Sequence, residues 1–289
     1  MIFDGELGQV LKGIAKGGVR IAGALNTVDL GKAGTKNIYG EDQIALDVLS
    51  DEILEEEMKL TGLVSAIASE EQDDVVRLEG GKYAVCYDPL DGSSLVDVNL
   101  SVGTIFGVYE GGDFVGRKPS EMVAAGFIVY GPRTTMMVTR GDGTYEFRLK
   151  NDGEWELAHE RIQIGEGKMF APGNLRAVTD RADYMELVNW WMKEQYTLRY
   201  SGGMVPDINQ ILLKGKGIFT YPGYSDAPNG KLRLLVECGP IAFIVEQAGG
   251  AASDGAIRIL DKTIEDIAQR SPIYVGSKEE VKRCITYLG

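Results

Sequence analysis

The chain has 289 residues, of which 44% are hydrophobic and 25% are charged, and its formal net charge is −13. This length and composition are typical of a globular α/β protein with one or two domains, not of a disordered chain. The negative charge disfavours nucleic acids and anionic membranes as partners, and no apolar run reaches the ~20 residues that span a bilayer.

The reactive side chains narrow the chemistry further. His159 is the only histidine and lies in a polar run. This disfavours a histidine-rich zinc site and a Ser-His-Asp triad. Three scattered cysteines, Cys86, Cys238 and Cys284, fit a reducing compartment. Residues 1–6 lack the basic and apolar regions of a secretory signal. We therefore predict a cytoplasmic protein whose catalysis uses carboxylates, hydroxyls or a metal ion.

Two amphipathic helices are predicted at the N-terminus. Apolar residues recur at helical spacing over residues 5–27, and again over residues 41–58 after a polar, glycine-bearing loop at 31–40. Acidic residues are favoured in the first turn of a helix, which accounts for Glu41. Asp47 is different, because it lies among apolar neighbours where a carboxylate needs a functional reason.

The segment 83–94, Y-A-V-C-Y-D-P-L-D-G-S-S, is the centre of the predicted site. Its first five residues predict a buried strand, and Pro89 is expected to end that strand because it has no N–H and a fixed φ. Asp88 and Asp91 then point to one place across a rigid turn. A divalent cation would offset their repulsion, and the carbonyl of Leu90 can add a further oxygen ligand.

A plain surface turn followed by a capped helix is an alternative for this segment, since Asp, Pro, Gly and Ser are common turn residues. The spacing of an EF-hand calcium loop is absent. The small residues at 92–94 can present backbone N–H groups to an anion. Glu70 and Glu71 favour the metal site, because they follow a second predicted strand at 63–68 and so bring four acids to two strand ends.

The rest of the chain predicts further strands and helices on both sides of sheets, with some antiparallel strand pairs. The predicted strands are 98–109, 122–130, 134–139, 145–149 and 218–221, and the predicted helices are 184–193, 205–213, 232–247 and 281–288. This pattern indicates an α/β (α+β) fold, a layered sandwich with mixed sheets.

Two basic segments stand out against the acidic background. Arg199 precedes the predicted helix at 205–213, so an anion could meet both an arginine and a helix N-terminus. Lys231 and Arg233 lie at the start of the long predicted helix, where cations are unfavourable and therefore indicate a bound anion. Glu237 follows Arg233 by four residues, so its spacing fits an ordinary ion pair and a metal ligand equally.

Together these motifs resemble the class I sugar bisphosphatase family, which includes fructose-1,6-bisphosphatase and sedoheptulose-1,7-bisphosphatase and belongs to the lithium-sensitive, magnesium-dependent phosphatases. The motifs G-E-D-Q-I-A-L-D, A-S-E-E, D-P-L-D-G-S-S, S-V-G-T-I-F-G-V-Y and N-G-K-L-R-L-L-V-E-C occur in the order of the family. Three segments, at 130–135, 165–176 and 196–211, are similar to the sedoheptulose branch of it.

The resemblance implies a layered αβαβα sandwich of the sugar phosphatase type, with an N-terminal metal and catalytic subdomain at 1–164 and a C-terminal sugar-phosphate-binding subdomain at 165–289. It implies hydrolysis of the 1-phosphate of sedoheptulose 1,7-bisphosphate, with fructose 1,6-bisphosphate as the alternative substrate. A non-catalytic phosphosugar-binding protein and an inositol monophosphatase are alternatives of other classes. The expected cofactor is Mg²⁺, two or more ions per site, with Mn²⁺ as a substitute, and the expected assembly is a homodimer or homotetramer.

The resemblance also assigns roles to particular residues. The implied neighbours of Mg²⁺ are Glu70, Glu71, Asp88, the Leu90 carbonyl, Asp91 and Glu237. The residues implied to orient or deprotonate the attacking water are Asp47 and Glu71, with Glu41 at the position of a loop aspartate. The 1-phosphate is expected on Asp91, Gly92, Ser93 and Ser94. The far phosphate and the sugar are expected on Asn174, Arg199, Tyr200, Met204, Tyr221, Lys231 and Arg233.

Two departures from the family pattern matter. Ala177 stands where the fructose enzyme has a tyrosine that helps to hold the distal phosphate. The loop at 29–39 contains no cysteine, whereas plastid sedoheptulose bisphosphatases carry a redox-active pair there. We therefore expect thioredoxin or dithiothreitol to leave activity nearly unchanged at saturating Mg²⁺.

Overall fold

In the described part of the chain strands outnumber helices, and at least one strand separates each α-helix from the next. The computed structural model describes residues 2–27, 32–36 and 42–289. The helices are α1 Gly5–Leu25, α2 Ala45–Thr61, α3 Ala182–Lys193, α4 Met204–Lys214, α5 Gly239–Gln247 and α6 Lys278–Leu288. The strands are β1 Lys32–Lys36, β2 Asp42–Ile44, β3 Val64–Ser69, β4 Val76–Arg77, β5 Tyr83–Asp91, β6 Val102–Glu110, β7 Ala124–Tyr130, β8 Thr135–Thr139, β9 Thr144–Leu149, β10 Trp155–Ile162, β11 Met169–Pro172, β12 Thr197–Leu198, β13 Ile218–Tyr221, β14 Ala251–Ser253 and β15 Ile273–Gly276.

Two mixed sheets organise these elements. The larger has eight strands in the order β10-β9-β8-β7-β6-β5-β3-β4, and only its β3–β5 pair is parallel in the described chain. The smaller has five strands in the order β12-β11-β13-β15-β14, with parallel pairs at β11–β12 and β11–β13. β1 and β2 form a separate antiparallel pair.

The apolar side chains of the sheets and helices fall into three cores, which define five layers. Side chains of α1 and α2, such as Leu11 and Leu54, pack on one face of the larger sheet. Those of α4 and α5, such as Ile208 and Ile241, fill the space between the two sheets. Trp191 of α3 packs with α6 on the outer face of the smaller sheet. This order confirms the predicted layered α/β sandwich.

Strand β5 lies inside the larger sheet, and all nine of its residues are buried. Val85 faces the core below α1 and α2, whereas Cys86 faces the core between the sheets, as the twofold alternation of a strand requires. Hydrophobic burial on both faces explains why the sequence here is almost continuously apolar. The strand therefore delivers its two terminal carboxylates from a rigid, central position.

The prediction that Pro89 ends this strand is wrong. β5 continues to Asp91, and the register changes from Asp88 opposite Ile105 to Asp91 opposite Gly103. One extra residue on β5 makes a bulge, where a proline without an N–H is tolerated. The Pro89 carbonyl still accepts a hydrogen bond, from Thr104 Oγ1 at 2.8 Å.

Other boundaries also differ from the sequence predictions. The second helix begins at Ala45, because residues 42–44 form β2, and Glu41 lies outside the described residues. The long helix predicted at 232–247 is a π-helical turn, Leu234–Cys238, followed by α5, which has Pro240 in its first turn. Proline lacks the N–H that an uninterrupted helix would need there. Among the described helices, none is long and apolar enough to cross a bilayer.

Candidate active site

The predicted acidic segments converge on a cavity of about 390 Å³. It lies where β3 and β5 end, beside the first turns of α2 and α4 and the π-helical turn before α5. The residues that line it are Asp47, Glu70, Glu71, Asp88, Leu90, Asp91, Gly92, Ser93, Ser94, Tyr200, Gly202, Met204, Phe219, Tyr221, Lys231, Leu232, Arg233, Glu237 and Arg270.

Three of these carboxylates form a compact buried cluster. One oxygen from each of Asp88, Asp91 and Glu237 lies within 4.8 Å of the others, and the three residues are 2%, 7% and 5% exposed. Burial raises the pKa of Asp91 to about 6 and that of Glu237 to about 7. For Asp88, burial and then the charges of Asp91 and Glu237 raise the pKa well above its usual range. The cluster is therefore electrostatically unfavourable as three bare anions.

Backbone N–H groups fix the orientation of each acid. Asp88 Oδ1 accepts the N–H of Leu90 at 3.0 Å across the bulge, which explains how the strand turns this carboxylate toward the cavity. Asp91 Oδ2 accepts the N–H of Val205 at 2.7 Å, at the positively polarised start of α4.

Glu237 and Arg233 are joined through the backbone of the π-helical turn. Glu237 Oε2 accepts the backbone N–H of Arg233 at 2.5 Å within the π-helical turn. The guanidinium of Arg233, only 3% exposed, makes an ion pair with Glu70. Arg233 thus connects the turn before α5 to the end of β3. It also brings one positive charge to the acidic wall, the name used here for Asp47, Glu70, Glu71, Asp88, Asp91 and Glu237.

The donor chemistry of this wall fits a divalent cation. Every converging side-chain ligand is a carboxylate oxygen, the kind of hard donor that Mg²⁺ and Mn²⁺ prefer. Asp47, which is 5% exposed on α2, and Glu71 add two more carboxylates to the same cavity. A bound cation would also offset the repulsion that raises the pKa of Asp88.

Gly92, Ser93 and Ser94 border the acids, as the sequence predicts. Gly92 adopts a left-handed conformation, with φ 77° and ψ 29°, and leads into a 3₁₀ turn over Ser93–Val98. A Cβ at Gly92 would lie 3.4 Å from Gly203 Cα. Glycine therefore permits both the reversal of the chain and the close approach of α4.

The rest of the lining, here called the far wall, carries the aromatic residues Tyr200, Phe219 and Tyr221, with Met204 and Lys231. Tyr200 is 44% exposed, Tyr221 is half-buried, Lys231 is exposed and Met204 is buried. The turn before α4 is held by Asp207, whose two oxygens accept the Ser201 N–H at 3.0 and 3.1 Å. This wall has fewer buried charges than the acidic one.

Two predicted residues that the structure describes, Asn174 and Arg199, are not on the cavity wall. Asn174 donates from Nδ2 to the Pro222 carbonyl at 2.9 Å, next to Tyr221. Arg199 is exposed, and its backbone N–H donates to Phe170. Glu41 lies outside the described residues.

Sequence analysis missed four of the lining residues, namely Gly202, Leu232, Phe219 and Arg270. Gly202 and Leu232 are neighbours of predicted residues, and Phe219 lies on a strand that was predicted. Arg270 had no local signal. It reaches the cavity because its backbone pairs with that of Arg233, 37 residues earlier.

Comparison with known proteins gives a consistent result over the whole chain. Residues 2–160 match the family model described as fructose-1-6-bisphosphatase, N-terminal domain, and residues 164–289 match the model of its C-terminal domain. The chain is 48% identical over 292 residues to a class 1 fructose-1,6-bisphosphatase of Trichlorobacter lovleyi, covering 99% of this chain and 91% of that protein. It is 46% identical to a chloroplastic sedoheptulose-1,7-bisphosphatase of Triticum aestivum, covering 91% of this chain and 68% of that protein.

The structure gives the same answer as the sequence comparisons. The crystal structure of Leishmania major fructose-1,6-bisphosphatase in holo form superposes with a TM-score of 0.93 at 33% identity, over 98% of this chain and 94% of that one. Both halves of the chain therefore match, in order, within a single fold. The chain belongs to the fructose-1,6-bisphosphatase family, whose members are hydrolases of sugar bisphosphates.

Proposed function

We propose that this protein is a Mg²⁺-dependent phosphatase that removes the 1-phosphate of a ketose bisphosphate. The observation that carries the proposal is the buried cluster of Asp88, Asp91 and Glu237 beside the turn at Gly92. One part of the cavity thus concentrates negative charge, and the adjoining part offers backbone N–H groups to an anion. This combination suits a cation and a phosphate bound side by side.

The residues of the chain divide the work. Ser93 and Ser94, with the backbone after Gly92, bind the phosphoryl group that leaves the sugar. Asp47 and Glu71 hold the attacking water and accept its proton, since both carboxylates line the cavity next to the cluster. Mg²⁺, bound by Glu70, Glu71, Asp88, Asp91, Glu237 and the Leu90 carbonyl, supplies charge neutralisation for phosphoryl transfer, and Mn²⁺ can replace it.

The far end of the substrate is bound by the less acidic wall. Lys231 provides a mobile positive charge, and Tyr200 and Tyr221 provide hydroxyl groups for the second phosphate and the sugar. Ala177 stands where the family pattern has a tyrosine, and it is fully buried. It therefore offers no hydroxyl group to the second phosphate. Arg199 and Asn174 stay predicted ligands of the same phosphate.

Fructose 1,6-bisphosphate is the substrate that the printed names of the bacterial relatives support. Sedoheptulose 1,7-bisphosphate, the first choice from the sequence, is supported by the three segments at 130–135, 165–176 and 196–211 and by the 46% identity to the wheat protein. A tenfold preference needs only about 1.4 kcal/mol, which a single hydroxyl contact can supply. We therefore propose that both are hydrolysed.

Competition between the two bisphosphates under saturating Mg²⁺ tests this proposal. Phosphate release from each substrate gives two values of kcat/KM, and we expect both to be far above the value for an inositol monophosphate. Rapid hydrolysis of the inositol monophosphate would contradict the assignment of a second phosphate subsite. Calorimetry that finds tight binding of both sugars without turnover would instead favour a non-catalytic binding protein.

The assembly and the location stay predictions of the family resemblance. We expect a homodimer or homotetramer, and sedimentation of a fully active monomer would contradict that. A cytoplasmic location rests on the sequence composition.

A further inference from the structure

Two of the segments that supply acids to the cavity are α2 and the turn after β3, which are separate in the chain. Asp47 lies in the first turn of α2, whereas Glu70 and Glu71 follow β3. The proposed proton acceptors, Asp47 and Glu71, must face the same water, so the spacing between these segments affects catalysis. A residue that holds these two segments together would therefore influence catalysis.

Gln72 joins the two segments through its side-chain amide. Its Nε2 donates to Asp51 Oδ2 at 2.7 Å and to Glu55 Oε2 at 2.9 Å, so one nitrogen binds two carboxylates of α2. Asp47, Asp51 and Glu55 follow one another at four-residue intervals and lie along one side of the helix. Gln72 itself is not among the described residues that line the cavity.

The turn that carries Glu70 and Glu71 is bonded to Ser69 and to β5. Glu71 donates its backbone N–H to Ser69 Oγ at 3.2 Å, and Gln72 donates its own to the Ser69 carbonyl at 3.4 Å. The N–H of Glu70 is bonded to the Tyr87 carbonyl of β5 at 3.0 Å. Glu71 and Gln72 are consecutive and both are bonded to Ser69, so a displacement of Gln72 would shift Glu71 as well.

The charge at this position is also constrained. Asp51 is 8% exposed, and burial raises the pKa of its carboxyl. Glu55 makes a further ion pair with Lys59 on the solvent side. An amide can donate to both acids, whereas a carboxylate at position 72 would add a third negative charge to them.

We infer that Gln72 is a positioning residue, which sets the distance between Asp47 on α2 and the acidic turn Glu70–Glu71. The inference rests on the proposed function, because it concerns the same acids. It adds a connection between α2 and β3 on which both the cation affinity and the turnover rate depend.

Gln72→Glu tests this connection with a side chain of the same shape. A displacement of catalytic groups by about 1 Å can cost about 100-fold in rate, so we expect kcat and the affinity for Mn²⁺ alone, measured by calorimetry, each to fall roughly tenfold. KM for fructose 1,6-bisphosphate should stay near the wild-type value, because the far wall is untouched. Lys59→Ala, which changes only the outer partner of Glu55, is the matched control and should resemble the wild type.

A second substitution separates positioning from general destabilisation. In Gln72→Glu/Asp51→Asn the amide and the carboxylate exchange places. The hydrogen bond between positions 72 and 51, which is the tie between the two segments, can then form again. We expect most of the Mn²⁺ affinity and kcat to return. Should Gln72→Glu fail to fold, Gln72→Asn, which is neutral and one methylene shorter, takes its place with the same expected losses.

The outcomes separate this inference from the proposed function. Wild-type kcat and Mn²⁺ affinity in a folded Gln72→Glu protein would overturn the inference and leave the phosphatase assignment intact. A wild-type protein that releases no phosphate from either sugar would refute the proposed function, while the Mn²⁺ affinities of the variants would still test the tie.

Discussion

The two walls of the cavity differ in the burial of their polar side chains and in how those side chains are held. The acidic wall consists of buried and half-buried carboxylates, and backbone N–H groups of Val205 and Arg233 hold Asp91 and Glu237 in place. On the far wall the polar side chains, such as Lys231 and Tyr200, are exposed or half-buried, whereas Met204 is buried. A cation site needs ligands fixed before binding, whereas a charged substrate end can be bound by mobile groups that stay solvated. Substitutions on the two walls should therefore have different kinetic signatures.

Asp91→Asn should produce the largest effect, because it removes one anion from the cluster and keeps an oxygen for the Val205 N–H. We expect phosphate release to fall by about 100-fold or more, together with a loss of Mn²⁺ affinity in calorimetry. Burial raises the pKa of this carboxyl to about 6, so its ionised form destabilises the metal-free fold above that pH. The variant should consequently gain roughly 1–3 kcal/mol of stability without metal at pH 8, measured by urea unfolding.

The matched control for this substitution is Asp113→Asn, since the Asp113 side chain is 80% exposed and pairs only peripherally with Arg77. Its activity, Mn²⁺ affinity and stability should equal those of the wild type. An Asp91→Asn protein that keeps full Mn²⁺ affinity would show that the cluster is not the cation site.

Lys231→Ala should affect binding more than turnover. The lysine lies on the far wall, so its loss removes a phosphate contact made equally in the ground state and the transition state. We expect KM for either bisphosphate to rise about tenfold with kcat little changed, as steady-state kinetics can measure. Lys150→Ala, at an exposed ion pair with Asp152, is the control. A fall in kcat at constant KM would contradict the division between the walls.

Gly92→Ala should have an intermediate effect at the junction of the walls. A side chain at φ 77° costs about 1–2 kcal/mol, and the added methyl would touch Gly203 and Leu95. We expect a lower melting temperature and a severalfold lower kcat/KM. Gly141→Ala has a similar φ of 81° with no atom within 4 Å of the new methyl, so it should lose stability and keep activity. Equal activity of the two variants would show that Gly92 has no role in phosphate binding.

Reductants should have no effect on activity. All three cysteines are buried free thiols, and burial raises the pKa of Cys86 to about 12. Thiols held in the protonated form inside packed cores react slowly with disulfides. Activity at saturating Mg²⁺ should be the same with and without dithiothreitol. A reversible activation that disappears in Cys86→Ser or Cys238→Ser would contradict this expectation.

The acidic wall was more predictable from the sequence than the far wall. Asp88 and Asp91 follow a continuous apolar run, and Glu70 and Glu71 follow another, so these runs predict the acids at two strand ends. The structure then shows that the two strands are neighbours in the larger sheet. Local rules failed at Pro89, because a bulge in the strand accommodates the residue that would otherwise end it.

Contacts between distant segments account for most of what the sequence did not predict. Arg270 reaches the cavity only through pairing of its backbone with Arg233, and Gln72 meets Asp51 across 21 residues. Neither has a local pattern that distinguishes it from an ordinary surface residue. The layered fold was predictable because amphipathic helices and apolar strands are local signals, whereas its π-helical turn at Leu234–Cys238 depends on the packing around Glu237.

The dependence of phosphate release on free Mg²⁺ tests the central claim most directly. The protein is first stripped with chelator, and the initial rate with fructose 1,6-bisphosphate is then followed as Mg²⁺ is added back. If the buried carboxylates hold the cation that hydrolysis needs, the rate falls to background in chelator and returns to its full value with Mg²⁺. A rate that is the same in excess chelator as in Mg²⁺ would contradict the account.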